Sequence, residues 1–253
     1  MNDAELDLYR EAGAIAARLL RKGRDEVRVG GSVFTAVETI ESLVREAGAD
    51  LAFPLNLSIN ENAAHDTAME GDTREFQAGD VVKLDLGVHI EGYIADTATT
   101  IDLGDNARLV EASERALAAA IERVQAGAPI VEIGRAIQAE IEARGYRPVA
   151  NLSGHGLAPY QIHTDPHIPN IPSGSGAAIP PGTVFAIEPF ATSGSGMVSE
   201  GHRVEIYQQV AVRPVRLPAA RRLLDQVRGR RGLPFARRWM ESDKRDIALG
   251  TLV

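Results

Sequence analysis

A chain of 253 residues with 44% hydrophobic and 25% charged side chains has the material for one large soluble domain or two small ones. Its net charge of -8 argues against a surface built as a whole for nucleic acid. The absence of cysteine excludes disulfides and thiolate ligands and fits a reducing compartment, so oxygen and imidazole must hold any metal. No apolar run approaches the roughly 20 residues of a membrane helix. The acidic start, Met1-Asn2-Asp3-Ala4-Glu5, lacks the basic-then-apolar pattern of a signal peptide. The expected location is the cytoplasm.

In chain order, Leu8, Ala12, Ile15, Ala16 and Leu19 recur at helical spacing and predict a helix over 6–22 that stops near Gly23. Ser32 is placed to cap a second helix running to Gly48. Residues 53–60 read as a strand followed by a polar loop holding His65. Two β-branched runs, 81–88 and 93–101, then read as a hairpin. With a loop at Ile90-Glu91, Asp85 and Asp96 would face each other directly across it. Residues 107–124 and 130–144 are two amphipathic helices, 151–163 returns to strand-like sequence, 174–181 is a loop, and 183–189 reads as a buried strand holding Glu188. Helices and then strands occur twice over, the pattern of a duplicated α+β half. Beyond Phe190 an arginine-rich helical tail runs from Arg213 to Ile247, with nine arginines against the single acid Asp225 between 213 and 238. Such a run is either a solvated helix face or a docking patch for an anionic partner.

Four side chains of metal-ligand type sit in apolar surroundings. Two carboxylates side by side on a hairpin repel, and burying them unpaired is costly; a divalent cation between them removes the conflict, whereas two solvated residues that never meet would need none. His155 lies between Gly154 and Gly156, where missing side chains permit close approach, although a turn with a hydrogen-bonded imidazole reads the same way. Glu188 follows Val184-Phe185-Ala186-Ile187 and precedes Pro189; a carboxylate there is paired, protonated or metal-bound. Together Asp85, Asp96, His155 and Glu188 form a hard donor set suited to Mn, Co, Fe or Zn.

The segments F-P-L-N-L-S-I-N-E-N-A-A-H (53–65), K-L-D-L-G-V-H-I-E-G-Y-I-A-D-T-A (83–98), N-L-S-G-H-G (151–156), I-H (162–163), F-A-I-E-P-F (185–190) and L-P-F-A-R-R-W (233–239) closely resemble type II methionine aminopeptidases of the short archaeal form. The resemblance implies an α+β pita-bread fold of two pseudo-symmetric halves around a central antiparallel sheet. It divides the chain into a metallopeptidase core over 1–190 and a type II helical insertion over 191–253. It implies removal of the initiator methionine from nascent proteins and peptides by metal-activated water, with two divalent ions. Asp85 would be a terminal ligand, Asp96 a bridging one, and His155 and Glu188 would complete the other ion, with Glu188 also the general base. His65 and His163 would face the substrate, and Phe53 and Ile162 would wall the methionine pocket. Family members carry a further bridging glutamate on a last strand pair. No acid in 200–253 sits in a matching strand-like run, and Glu205 falls at the wrong place. The expectation is therefore a chain truncated at its C-terminus, with one metal site weakened. A monomer with possible ribosome contact and no membrane association is expected. The competing reading is a catalytically impaired pita-bread module docking to ribosomes or RNA through 213–238. A proline-specific peptidase of the same fold is disfavoured, since no separate N-terminal domain precedes the motifs.

Overall fold

The computed structural model describes residues 1–173, 177–241 and 244–253. The first half opens with α1 (Asp3–Glu26), whose start is closed by reciprocal hydrogen bonds between Asn2 and Glu5, and α2 (Val33–Glu46), capped by the Ser32 hydroxyl. Such side-chain acceptors and donors satisfy the backbone groups that a helix terminus leaves unpaired. The helix α1 continues through Gly23 instead of stopping there. That glycine is buried where α1 crosses α2 and the sheet, and a Cβ on it would stand 2.9 Å from Leu84 Cδ1 and 3.1 Å from Ile40 Cδ1. It is a packing residue, and one glycine inside a helix with a buried apolar face is tolerated.

The sheet beneath these helices comprises β1 (Asp50–Leu51), β2 (Asn56–Ile59), β3 (Val81–Ile90) and β4 (Tyr93–Asp102). The long strand β3 pairs antiparallel with β4 along one edge and with β1 and β2 along the other. Residues 53–55 precede the ladder, so the expected strand over 53–60 is shorter, and Pro54 cannot donate to a ladder. The hairpin register also differs from the expected one. The turn residues are Glu91 and Gly92, at φ 51° and 92°, the left-handed pair that a two-residue turn of the I′ kind demands. Asp85 accordingly pairs with Ala98, and Asp96 with Gly87. The two aspartates are diagonal neighbours on one face, because displacing the turn by one residue moves the pairing by two and keeps each side chain on its side.

The second half repeats the plan with α3 (Ala107–Ile121), α4 (Ile130–Ala143) and a sheet in which β6 (Ser153–Ala158) lies between β7 (Gln161–Pro169) and β8 (Val184–Phe185), while β5 (Arg147–Pro148) pairs with β9 (Ala191–Thr192). The stretch 151–163 is thus the end of a turn and a hairpin, and the ladder within 183–189 is two residues long and half-buried. Of the expected 174–181 loop, residues 174–176 lie outside the described residues. The two halves carry separate hydrophobic clusters, one from α1, α2 and the first sheet, the other from α4, α3 and Ile168. A third forms where α5 (Pro218–Val227) packs on α6 (Arg245–Leu252) and on Phe235 and Met240. The arginine-rich tail is therefore two short helices flanking β11 (Phe235–Ala236), which pairs with β10 (Ile206–Tyr207).

The packing at Gly23 makes a direct test. Gly23→Val forces carbon into the Leu84 and Ile40 side chains and is expected to cost about 1–3 kcal/mol, read as a lower urea midpoint at unchanged slope. An unchanged midpoint would show that α1 lifts freely from the sheet.

Candidate metal and substrate centre

The ladders determine which side chains meet. On β3 and β4, Asp85 and Asp96 are diagonal neighbours within hydrogen-bonding reach of each other. On the other half, Gly156 pairs with Phe185, and the Ala186 N–H donates to the His155 carbonyl at 2.8 Å. His155 and Glu188 consequently share a face, again diagonally. Strand β4 packs against β6, and the two pairs converge. One ligand atom each from Asp96, His155 and Glu188 lies within 4.8 Å of the others. His155 Nε2 is 3.0 Å from Glu188 Oε1 and 3.6 Å from Asp96 Oδ2.

Glycine makes this approach possible. A Cβ on Gly154 would overlap the Ala186 carbonyl, one on Gly156 the Asp165 carbonyl, and one on Gly87 the Phe53 ring. The missing side chains flanking His155 are thus filled by neighbouring backbone on both sides.

The electrostatics are those of an uncompensated anionic cluster. Burial first, then the Glu188 charge, pushes Asp85 up to about 7; burial, Asp85 and Glu188 together hold Asp96 well above the usual carboxylate range. For His155 burial works downward, but the Glu188 carboxylate outweighs it and the imidazole is raised. His155 Nδ1 lies 3.3 Å from the Gly156 carbonyl. With the proton on that nitrogen, the Nε2 lone pair faces two carboxylates, an arrangement that calls for a cation between them. Asp85 Oδ1 and Asn56 Oδ1 are screened from solvent without a hydrogen-bond partner, and Glu188 Oε1 has only the His155 Nε2 beside it, although buried oxygens are ordinarily satisfied. Orphaned oxygens, one imidazole and clustered carboxylates fit a divalent metal centre of the hard type.

The remaining expected residues fall into two groups. The His163 ring stands edge-on to His155 at 4.3 Å. Its side chain is crowded by protein yet reached by water; burial and the imidazoles of His155 and His65 lower it to about 4. His65 is exposed on its loop, at φ 59°, close enough to act electrostatically on His163. Phe53 and Ile162 are buried in one apolar cluster together with Ala52, Ile94, Leu157 and Leu233. Two contributors escaped the sequence reading. Asn56, opposite Asp85 on β2, donates to Asp85 Oδ2 at 3.4 Å, a role that strand pairing in F-P-L-N-L-S could have suggested. Leu233, 180 residues beyond Phe53, carried no local signal. Glu205 lies apart from the cluster, facing Arg203 and Arg237. Five of the nine tail arginines are engaged within the protein: Arg228 with Asp225, Arg230 with the carbonyls of Leu51, Ala52 and Pro234, Arg231 over the Tyr160 ring, Arg237 with Asp246, and Arg238 with Glu38 and Glu41. Arg230 and Arg238 point inward, onto backbone carbonyls and the buried Glu41, whereas Arg228 stays 79% exposed in a surface pair, so the run divides between inward donors and an exposed face.

Known proteins resemble this chain over nearly all of its length. Residues 7–214 match metallopeptidase family M24. A methionine aminopeptidase of Archaeoglobus fulgidus is 46% identical over 242 residues, 95% of this chain and 83% of the relative. That of Methanocaldococcus jannaschii is 45% identical over 246 residues, 96% of this chain and 84% of the relative. The crystal structure of methionine aminopeptidase from Thermotoga maritima superposes with a TM-score of 0.75 at 25% identity, covering 80% of this chain and 85% of that one. The two α+β halves are those of the pita-bread fold. With a family match across more than four-fifths of its residues and these archaeal relatives beside it, the chain belongs to metallopeptidase family M24, among the methionine aminopeptidases.

Proposed function

We propose that this protein removes the N-terminal methionine from peptides and nascent chains, using water and divalent metal. The observation that carries the reading is the convergence of Asp96, His155 and Glu188, with Asp85 beside them, in a chain 46% identical to a methionine aminopeptidase. Asp85, Asp96, His155 and Glu188 would hold the divalent metal, with Asp96 the ligand shared between the two halves of the site. Divalent ions in such a site supply Lewis acidity toward a carbonyl and raise the acidity of water. Glu188 accepts the proton of the attacking water, as a carboxylate at the edge of the cluster can. His163 offers an N–H to the developing oxyanion, and His65 hydrogen-bonds near the scissile amide. Phe53 and Ile162 hold the methionine side chain, whose unbranched thioether adapts to an apolar pocket.

Mn, Co, Fe or Zn would satisfy the donor set. Asp96, His155 and Glu188 would give one ion three protein ligands, enough for an open catalytic site, and Asp85 with Asp96 would contribute to the other. The separation of a core over 1–190 from a helical addition over 191–253 belongs to the same proposal, supported by the separate cluster of α5 and α6. No helix among the described residues is long and apolar enough to cross a membrane; cytoplasmic action as a monomer on emerging chains, with ribosome contact through the exposed Arg213, Arg216, Arg221 and Arg222, completes the proposal.

Added Mn²⁺ or Co²⁺ should raise the thermal midpoint and chelation should lower it, since a ligand at 100 times its dissociation constant stabilises by about 2.7 kcal/mol. Elemental analysis should find that Asp96→Ala loses more metal than Asp85→Ala; equal losses would contradict a bridging Asp96.

Methionine release from a Met-Ala-Ser peptide, followed by amino-acid detection, tests the activity itself. His65→Ala should reduce turnover by roughly 10²-fold or more with metal content intact. Loss of metal in that variant would move His65 among the ligands, and no release by the unaltered, metal-loaded chain would overturn the reading.

A further inference from the structure

Glu41 on α2 is wholly buried and lies 197 residues from its partner Arg238, whose side chain is 4% exposed. Neither belongs to the metal cluster. A buried ion pair is weak evidence of a contribution to stability, because desolvation offsets most of the attraction and apolar residues of like volume often serve as well. What the pair holds is more informative than what it contributes to stability. Glu41 Oε1 accepts from Arg238 and from the Leu55 N–H, the latter at 3.2 Å, and Oε2 accepts from Trp239 Nε1 at 2.8 Å. Arg238 Nη1 donates to Thr67 Oγ1 at 2.9 Å and to the Ala68 carbonyl at 3.1 Å. The Thr67 hydroxyl in turn donates to the Leu55 carbonyl at 2.7 Å. Both backbone groups of Leu55 are thus gripped, the N–H by Glu41 and the carbonyl by Thr67.

Leu55 stands two residues after Phe53, and Thr67 two residues after His65. The same pair therefore anchors, from behind, the segment carrying the apolar wall and the loop carrying the exposed imidazole. It ties both to the stretch 233–239, which sends Leu233 into the Phe53 cluster. His65 holds a positive φ, a conformation that a non-glycine residue keeps only where its surroundings over-determine it. Asp66, between His65 and Thr67, is further held by its own N–H to Ser58 Oγ and its carbonyl to the Leu57 N–H.

We propose that the buried Glu41–Arg238 pair is a positioning device for the substrate pocket, locking the Phe53 segment and the His65 loop into one register through Leu55 and Thr67. This rests on the reading of the site as a methionine pocket. Glu41 and Arg238 are positioning residues and touch no reacting atom. Arginine suits the task where lysine would not, since its planar fork donates in several fixed directions at once.

The test uses the full chain loaded with Mn²⁺. Glu41→Gln/Arg238→Met removes both charges together and so avoids leaving one buried charge uncompensated; Thr67→Val keeps volume and cuts the links to Arg238 and Leu55 alone. Expected for both are a cooperative melt and unchanged metal content, with faster amide exchange confined to 53–57 and 63–69. kcat/KM for Met-Ala-Ser should drop by up to roughly 10²-fold, the scale of a 1 Å misplacement, carried chiefly by KM. Should the double variant not fold, Thr67→Val decides. Unchanged kcat/KM and unchanged exchange in a folded variant, or a lowered melt with kinetics intact, would overturn the proposal and leave the pair a structural brace. If the unaltered chain releases no methionine, the functional reading fails by itself. Exchange then decides the coupling: faster in the two segments supports it, unchanged rejects it.

Discussion

Asp85, Asp96 and Glu188 bring three carboxylates around one imidazole in a largely dehydrated space, where like charges repel far more strongly than in water. A raised His155 offsets one of the three at most. The protein answers partly by protonation, lifting Asp85 and Asp96 out of the usual acid range, yet Asp85 Oδ1 still lacks a partner. Protonation thus relieves the charge without satisfying the geometry. A divalent cation does both, because it neutralises two charges and accepts several lone pairs at once. The strand ladders, the glycines beside them and the close packing of β4 on β6 all serve to hold together groups that would otherwise separate.

Each half contributes one diagonal pair from one ladder. The two placements differ in spacing. Side chains directly opposite on an antiparallel pair stand about 4.5–5.5 Å apart at Cβ and diagonal neighbours about 7–8 Å, yet the Asp85 and Asp96 carboxylates still reach each other. The register correction at Glu91-Gly92 changes more than bookkeeping. Gly92 sets the turn and also leaves space for the Tyr160 ring, which a Cβ there would overlap, so one glycine settles the pairing within one half and its contact with the other.

The four ligand-type residues could be read from the sequence because a charged side chain inside an apolar run has few innocent explanations, and the two-halves plan because helix and strand periods alternate twice. The hairpin register escaped, since moving a two-residue turn by one position leaves the hydrophobic pattern intact. Gly23 was misread because a helix-stopping glycine and a packing glycine are identical without knowing what lies across from them. Leu233 and the Arg238 contacts were out of reach, as they depend on how 233–239 folds back over residues 41–68, a long-range docking with no local period. The arginine run shows the same ambiguity: composition reports charge, but only the fold says which way each guanidinium points.

That direction bears on how the tail and the pocket relate. Arg230 donates to the carbonyls of Leu51, Ala52 and Pro234, and Arg238 reaches Thr67 and Ala68, so two guanidiniums from the tail satisfy acceptors just before Phe53 and just beyond His65. Carbonyls outside regular ladders must find donors or water when buried. Residues 52–55 and 65–68 lie outside the ladders, and irregular backbone in an interior is stable only where something else supplies the hydrogen bonds. Arg230 and Arg238 are part of that supply, beside Glu41 and Thr67 at Leu55. Two arginines of the run that most suggested an external partner thus brace non-ladder backbone from within, and they tie the tail to the segments around Phe53 and His65.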